Sequence, residues 1–305
     1  MDRRKFIGNM ALASVGASLI GPQAKAASFI AQKNQFPLHF APHDGMFAES
    51  AGSPDILSQL RFMADQGFTA FEDNELKGRP VATQEAMATL MQQRGMTMGV
   101  FVAHKIYWKE PNLAGGEAKY REEFLNDIKD SITVAKRIGA KWMTVVPGYV
   151  DLRLAMDYQT ANVVESLKQA SALLEPHGII MVLEPLNFRN HPGMFLAESP
   201  QAYQICKAVN SPSCKILFDI YHQQIQEGNL IPNIEACWDE IAYFQIGDNP
   251  GRKEPGTGEI NYKNVFKFIH DKGFKGVLGM EHGNSIKGKA GEQAVIDAYK
   301  SASTF

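Results

Sequence analysis

Cysteine is scarce: three residues, Cys206, Cys214 and Cys237, in a chain of 305. Their number is odd and no pair has the spacing of a metal-binding motif, which argues against a disulfide scaffold or a cysteine-ligated metal. They read as small buried hydrophobes without a catalytic role. A Cys206–Cys214 bridge stays open only if the chain reaches an oxidising compartment. Long apolar runs are also missing; none approaches the roughly 20 residues that a membrane-spanning helix needs. Positive charge is not in excess, with 31 Lys and Arg against 33 Asp and Glu. Surfaces that grip a nucleic-acid backbone or an anionic membrane are normally basic, so neither partner is expected and a small molecule is. No glycine-rich phosphate turn follows the first apolar segment, Pro37-Leu38-His39-Phe40, which removes the usual sign of an open dinucleotide-binding sheet. Linkers, repeats and low-complexity tracts are lacking too, and residues 27–305 read as a single domain.

What the chain has instead is a repeated strand ending. IIMVL closes on Glu184, KILF on Asp219, IAYF on Gln245 and GVLGM on Glu281. Short apolar runs that stop abruptly at a polar residue are what buried parallel strands look like when their carboxyl ends face a ligand. The four endings are 35, 26 and 36 residues apart, about one strand–helix unit each. Consecutive strands would thus bring three carboxylates and one amide to the same face, a set of oxygens that suits a hard cation.

The rest of the chain repeats the unit. Apolar segments at 37–43, 68–72, 96–104 and 141–147 supply four earlier strands. Two of them end on Glu72 and His104, where both would line the same pocket and contact a substrate. Helices are predicted in between: one capped by Ser53 with Pro54 at its first position, one from Pro80 to Gly95, and one over 120–138 closed by Gly139. Others are expected at 160–175, 200–209, 232–238 and 264–272, with a last one from 291. Eight strands alternating with eight helices predict an α/β fold, the (β/α)8 TIM barrel.

The first 26 residues read as an export signal rather than as fold. Arg3-Arg4 opens the segment, a weakly apolar stretch runs from Ile7 to Gly21, and Ala24-Lys25-Ala26 fits a cleavage site. This predicts a twin-arginine signal peptide over 1–26 and a periplasmic protein. Those residues hold four basic side chains and one acidic one, so the mature chain would keep 27 Lys and Arg against 32 Asp and Glu, a formal charge of about −5.

Longer segments carry a resemblance. DIYHQQIQEG from Asp219, QIGDNPGRKEPGTGEINY from Gln245 and LEPLNFRNHPGMFL from Leu183 are similar to segments of the hydroxypyruvate isomerase family. That family is a branch of the xylose-isomerase-like barrels and is related to the ketose 3-epimerases. YREEFLNDIKDSITVAKRIGA from Tyr120 resembles its third helix, and the likeness extends over residues 37–285. The resemblance implies a xylose-isomerase-like TIM barrel that interconverts a small hydroxy-ketone and hydroxy-aldehyde, such as hydroxypyruvate and tartronate semialdehyde. The route it implies is proton transfer through an enediolate.

The same resemblance implies a divalent metal held by Glu184, Asp219, Gln245 and Glu281, with Glu184 and Glu281 as the catalytic acid–base pair. Epimerase relatives generally have His at the third position; Gln245 makes this set all oxygen, which favours Mg2+ or Mn2+ over Zn2+. His222, three residues beyond Asp219, falls where the family places a substrate-contacting His. Arg252 resembles its loop arginine, placed to hold a substrate carboxylate or sugar oxygen, with a solvated loop residue as the plainer reading. Glu254 and the Pro255–Gly258 turn are expected to shape that loop. Trp108 either covers the apolar face of a sugar or packs in the core.

Two departures bear on the substrate. Glu281 is followed by His282-Gly283-Asn284, where the isomerases tend to have Tyr and a nearby Pro. Hydroxypyruvate is also a cytosolic metabolite, with no obvious supply for an exported enzyme. An exported epimerase or isomerase acting on a larger carbohydrate is therefore a second reading, and a non-catalytic sugar-binding barrel a third. A DNA-repair endonuclease on the same barrel would need a histidine-rich multi-zinc site and a basic groove, which the strand ends do not offer. The assembly stays open, a homo-oligomer included.

Overall fold

A computed structural model describes residues 36–305; the signal peptide read at 1–26 lies outside the described residues. The chain runs β1 (His39–Ala41), α1 (Ile56–Asp65), β2 (Ala70–Phe71), α2 (Val81–Arg94), β3 (Thr97–Met98), α3 (Ala118–Ile138) and β4 (Trp142–Val145). It continues α4 (Met156–Leu174), β5 (Ile180–Leu183), α5 (Ser199–Val209), β6 (Cys214–Asp219), α6 (Ile220–Gln226) and α7 (Leu230–Ala236). The last elements are β7 (Ile241–Gln245), α8 (Tyr262–Asp271), β8 (Val277–Gly279) and α9 (Gly288–Ala302). Six strands pair in the order β1-β8-β7-β6-β5-β4, and β2 pairs with β3, every pairing being parallel. Single parallel bridges from His43 to Glu72 and from Val102 to Thr144 join the two sheets at both seams. The eight strands therefore close into the expected barrel.

Each strand, or its direct extension, gives one side chain to the barrel interior: Ala41, Ala70, Val100, Trp142, Val182, Leu217, Tyr243 and Val277 form a buried cluster of their own. Small residues at 41 and 70 leave room for Trp142 and Tyr243, whose rings meet edge to face at 5.9 Å. The lumen is thus a plug rather than a pore. A second, larger core lies between strands and helices, and α3 shows how the sequence builds it. Phe124, Ile128, Ile132, Ala135 and Ile138 are buried at three- and four-residue steps, and Gly139 at φ 76° ends the helix.

The structure moves some boundaries. The first helix is capped by Asp55, not Ser53: the Asp55 carboxylate accepts from the Ser58 N–H at 3.0 Å, and the Ser53 hydroxyl accepts from the Asp55 N–H at 3.1 Å. Asp55 has the reach to the first free helical N–H, which is what selects a cap. The third strand is shorter than 96–104, since beyond Met98 only Val102 keeps a bridge. A seven-residue helix, α6, was not expected, and it brings the helices among the described residues to nine. All three cysteines are buried and free, so the Cys206–Cys214 bridge is not formed. No helix among the described residues is long and apolar enough to cross a membrane.

Candidate active site

The strand endings meet at the carboxyl face of the barrel. Glu184 follows β5 directly, Asp219 and Gln245 are the last residues of β6 and β7, and Glu281 lies two residues past β8. Asp219 has two tasks. Its Oδ1 caps α6, accepting from the N–H groups of Tyr221 at 2.8 Å and His222 at 3.2 Å. This leaves Oδ2 facing the cavity, 3.1 Å from Arg252 Nη2 and 3.6 Å from His222 Nε2. The cap also turns His222 inward in the first turn of the helix.

The tautomer of His222 follows from its partners. The Asn187 backbone N–H donates to His222 Nδ1 at 3.1 Å, and the Asn187 amide nitrogen lies 2.6 Å from the same atom. Both are donors, so Nδ1 is the acceptor and a neutral ring carries its proton on Nε2. Burial pushes the pKa of His222 down to about 4, against the pull of Asp219, so the ring is neutral at physiological pH. Glu184, Asp219 and His222 offer atoms within 4.8 Å of one another, yet the Nε2 of this tautomer presents a proton rather than a lone pair. His222 therefore presents an N–H to the cavity, 3.9 Å from Glu184 Oε1. Asn187, fully buried, was missed in the sequence reading although it stands in the quoted LEPLN segment. An Asn four residues past the apolar run IIMVL was the only signal available.

Gln245 is held from behind. Its Nε2 donates to Glu72 Oε1 at 3.0 Å, while Tyr243, rising from the barrel plug, donates to Glu72 Oε2 at 2.8 Å. Gln245 Oε1 is buried with no hydrogen-bond partner. Burial, then the Glu281 charge, raise the pKa of Glu72 to about 8 against those two hydrogen bonds. Glu72 was expected to touch substrate; both its oxygens are instead spent on Tyr243 and Gln245, which makes it a support beneath the cavity. His104 is corrected in the same sense. Its Nδ1 donates to the Lys105 carbonyl at 2.9 Å and its Nε2 accepts from the Val146 N–H at 3.2 Å, so neither ring nitrogen is left for a ligand.

That arrangement makes a pH prediction. Burial pushes the pKa of His104 from 6.5 down to about 4. The unfolded chain takes up a proton there near pH 6.5 and the folded chain only near 4, so stability present above 6.5 is lost as pH falls through that window. Glutamine has a donor and an acceptor for the same two backbone groups but does not titrate. Relative to the unaltered chain, His104→Gln is expected to gain up to about 3 kcal/mol as pH falls from about 6.5 to 4. Paired thermal melts across that range check it; a difference that does not change with pH contradicts it.

Arg252 closes the cavity from the loop after β7. Its Nη2 reaches Asp219 Oδ2 at 3.1 Å and Glu281 Oε2 at 2.5 Å, its Nε donates to the Glu281 carbonyl at 3.1 Å, and its guanidinium lies 4.9 Å above the Tyr221 ring. The other Glu281 oxygen, Oε1, accepts from Asn74 Nδ2 at 2.9 Å. Arg252 is thus no solvated loop residue. Its backbone takes a left-handed φ of 49°, a conformation that L side chains adopt only under constraint. The constraint is the loop 248–260. Asp248, fully buried, accepts four backbone N–H groups, from Asn249 at 2.9 Å, Gly256 at 2.7 Å, Gly258 at 2.9 Å and Ile260 at 3.1 Å. Its carbonyl takes the Arg252 N–H at 2.8 Å. Glu254 ties the loop onward by accepting from the Ser285 N–H at 2.9 Å.

Electrostatics follow from this geometry. Burial, then the Glu281 and Asp219 charges, raise the pKa of Glu184 well above the usual carboxylate range, while Arg252 holds it down. Glu281 is raised by burial and held down chiefly by Arg252. Burial works against the Arg252 charge, but Glu281, Asp219 and Glu184 outweigh it and keep the guanidinium charged. Arg252→Ala is therefore expected to weaken substrate binding about tenfold to a hundredfold and to move the acid limb of the pH–rate profile upward. An unchanged kcat/KM at every pH would contradict both parts. At the mouth, Trp108 is 45% exposed and stacks on His191 at 5.2 Å, whose ring is 5.3 Å from that of His222. Of its two readings, core packing is excluded.

Comparison with known proteins agrees with this fold. A family profile described as a xylose isomerase-like TIM barrel matches residues 60–301. The Escherichia coli K12 protein named hydroxypyruvate isomerase is 35% identical over 170 residues, which are 56% of this chain and 66% of that one. This chain thus spans just under two thirds of that relative. The Cupriavidus necator protein named 2-oxo-tetronate isomerase is 31% identical over 232 residues, 74% of this chain and 86% of that one. A crystal structure of an AP endonuclease, family 2, from Brucella melitensis superposes with a TM-score of 0.73 at 26% identity, covering 83% of this chain and 96% of that one.

Proposed function

We propose that this chain, which belongs to the hydroxypyruvate isomerase family of xylose isomerase-like TIM barrels, is an isomerase that moves a proton between adjacent carbons of a small hydroxy-keto acid. Hydroxypyruvate and 2-oxo-tetronate, the compounds in its relatives' names, define the class. The observation that carries the reading is the charge and ligand count of the cavity. Glu184, Asp219 and Glu281 crowd around one guanidinium, two negative charges in excess once all three are ionised, and that crowding helps raise Glu184; Gln245 adds a buried oxygen without a partner. A divalent cation offsets both charges and gives that oxygen a partner, so these residues fit the metal that the family implies. Glu184, Asp219, Gln245 and Glu281 would hold it, and their all-oxygen set suits Mg2+ or Mn2+. When bound, such a cation polarises the substrate carbonyl and steadies the negative charge of the enediolate.

The chain's own residues divide the remaining work. Glu184 and Glu281 follow strands three places apart in the ring, so one can take a proton from the hydroxylated carbon while the other returns one to the former carbonyl carbon. Their raised pKa values make each a stronger base than a solvated carboxylate. His222 gives its Nε2 proton as a hydrogen bond to a substrate oxygen. Arg252 offers its guanidinium to the substrate's negative charge.

The test is incubation of the protein with Mn2+ in D2O and a panel of hydroxy-keto acids, ketoses and aldoses, followed by NMR. The expected result is isomerisation of a hydroxy-keto acid, with deuterium entering at the former carbonyl carbon. Isomerised product free of deuterium overturns the proton-transfer route. Turnover of a larger carbohydrate alone would favour the second reading, which His282-Gly283-Asn284 and the export signal keep alive. Export by the twin-arginine route is part of the proposal and rests on Arg3-Arg4 and Ala24-Lys25-Ala26. Replacing both arginines by lysine should empty the periplasmic fraction, and an undiminished fraction would sink it.

A further inference from the structure

We infer that Glu72 is a positioning residue that decides which end of the Gln245 amide faces the cation. The inference rests on the cation reading above and deepens it. A glutamine ligand has a weakness that a carboxylate lacks: one end of its amide is an oxygen that binds metal and the other is an NH2 that repels it. Nothing in the covalent structure chooses between them. Here the choice is made from below. Gln245 Nε2 donates to Glu72 Oε1 at 3.0 Å, which turns Gln245 Oε1 toward the cavity, where it is buried without a partner. Glu72 is itself fixed by Tyr243, whose hydroxyl bonds Oε2 at 2.8 Å and takes the Val100 N–H at 3.4 Å.

Two glycines clear the space for this clamp. A Cβ at Gly279 would collide with Glu72 Oε2, and a Cβ at Gly99 would collide with the Tyr243 hydroxyl. Gly279 lies opposite Gln245 in the β7–β8 ladder. The carboxyl group of Glu72 thus passes through a gap that only glycine leaves open, and it reaches the one amide whose orientation matters. Glu72 touches neither substrate nor cation in this scheme; it acts through Gln245.

The experiment is calorimetric titration with Mn2+ of the unaltered chain, Glu72→Gln, the double variant Glu72→Gln/Gln245→Glu, and Gly279→Ala, with melts in chelator to check the fold. Glu72→Gln keeps the volume but replaces one acceptor oxygen by an NH2 donor, which can face Gln245 and so let that amide turn round. It is expected to weaken Mn2+ binding about tenfold to a hundredfold, the usual effect of removing a residue that orients a ligand. The double variant is expected to recover, because a carboxylate offers oxygen whichever way it faces. Gly279→Ala should repeat the loss with the Glu72 carboxylate chemically intact. A residue that served packing alone would tolerate Glu72→Gln and give no recovery in the double variant. Unchanged affinity in Glu72→Gln, or loss that the second substitution does not restore, overturns the inference. Failure of the unaltered chain to bind Mn2+ overturns the cation reading and this inference with it.

Discussion

Glu184→Gln and Glu281→Gln are each expected to lower kcat about 10²–10⁴-fold, the ordinary cost of a missing general base. The structure separates the two. Glu184 is 8% exposed, and the one basic nitrogen within 4 Å of its carboxylate among the described residues is His222 Nε2, at 3.9 Å. Its substitution should therefore leave neighbouring side chains in place. Glu281 is tied to Arg252 and Asn74, so its substitution also frees the guanidinium, and KM should rise together with the fall in kcat. Cation content must be measured in each variant, because a lost ligand and a lost base both remove turnover. A Glu184→Gln enzyme with full metal content and unaltered kcat would remove Glu184 from the chemistry.

Asp219→Ala is expected to have the largest effect, because Asp219 joins three functions in one carboxylate. It caps α6, turns His222 into the cavity and holds Arg252. Loss of the cap alone costs about 1 kcal/mol. Loss of the charge leaves Arg252 facing only Glu281 and Glu184 and takes an oxygen from the cation set. Stoichiometric metal should disappear and turnover should fall to background, with the barrel still folded. Asp219→Asn separates the effects, since asparagine caps helices as well as aspartate does. The expected result is a melting temperature close to that of the unaltered chain, with metal binding still lost. Full metal and turnover in either variant would exclude Asp219 as a ligand.

Much of this site could be read before any coordinates, and the reason is the fold. In a parallel barrel the strands are buried on both faces, so they spell out as apolar runs, and the residue that breaks each run is delivered to one rim. Glu184, Asp219, Gln245 and Glu281 were legible on that ground. Glu72 and His104 satisfied the same pattern yet play other parts, because a strand ending does not say whether the side chain meets a ligand or a neighbour. Tyr243 bonds Glu72 across 171 positions of sequence, and no local pattern announces such a pair. α6 has seven residues, too few for a helical period to show. The left-handed backbone of Arg252 comes from a loop closed by hydrogen bonds, to which residue type alone gives no clue.

Asp248 has one more consequence. Its carboxylate grips the 248–260 loop solely through main-chain N–H groups, four of them, and the path of the loop is thereby independent of most side chains along it. Exchange of Lys253, which joins the loop through its main chain, is expected to leave Arg252 in place, whereas exchange of Asp248 or the tightly packed Gly258 is not. The rim of the cavity is in this respect a fixed frame with replaceable fittings. Lineages or libraries that vary those fittings can explore new substrates while Arg252 keeps its aim.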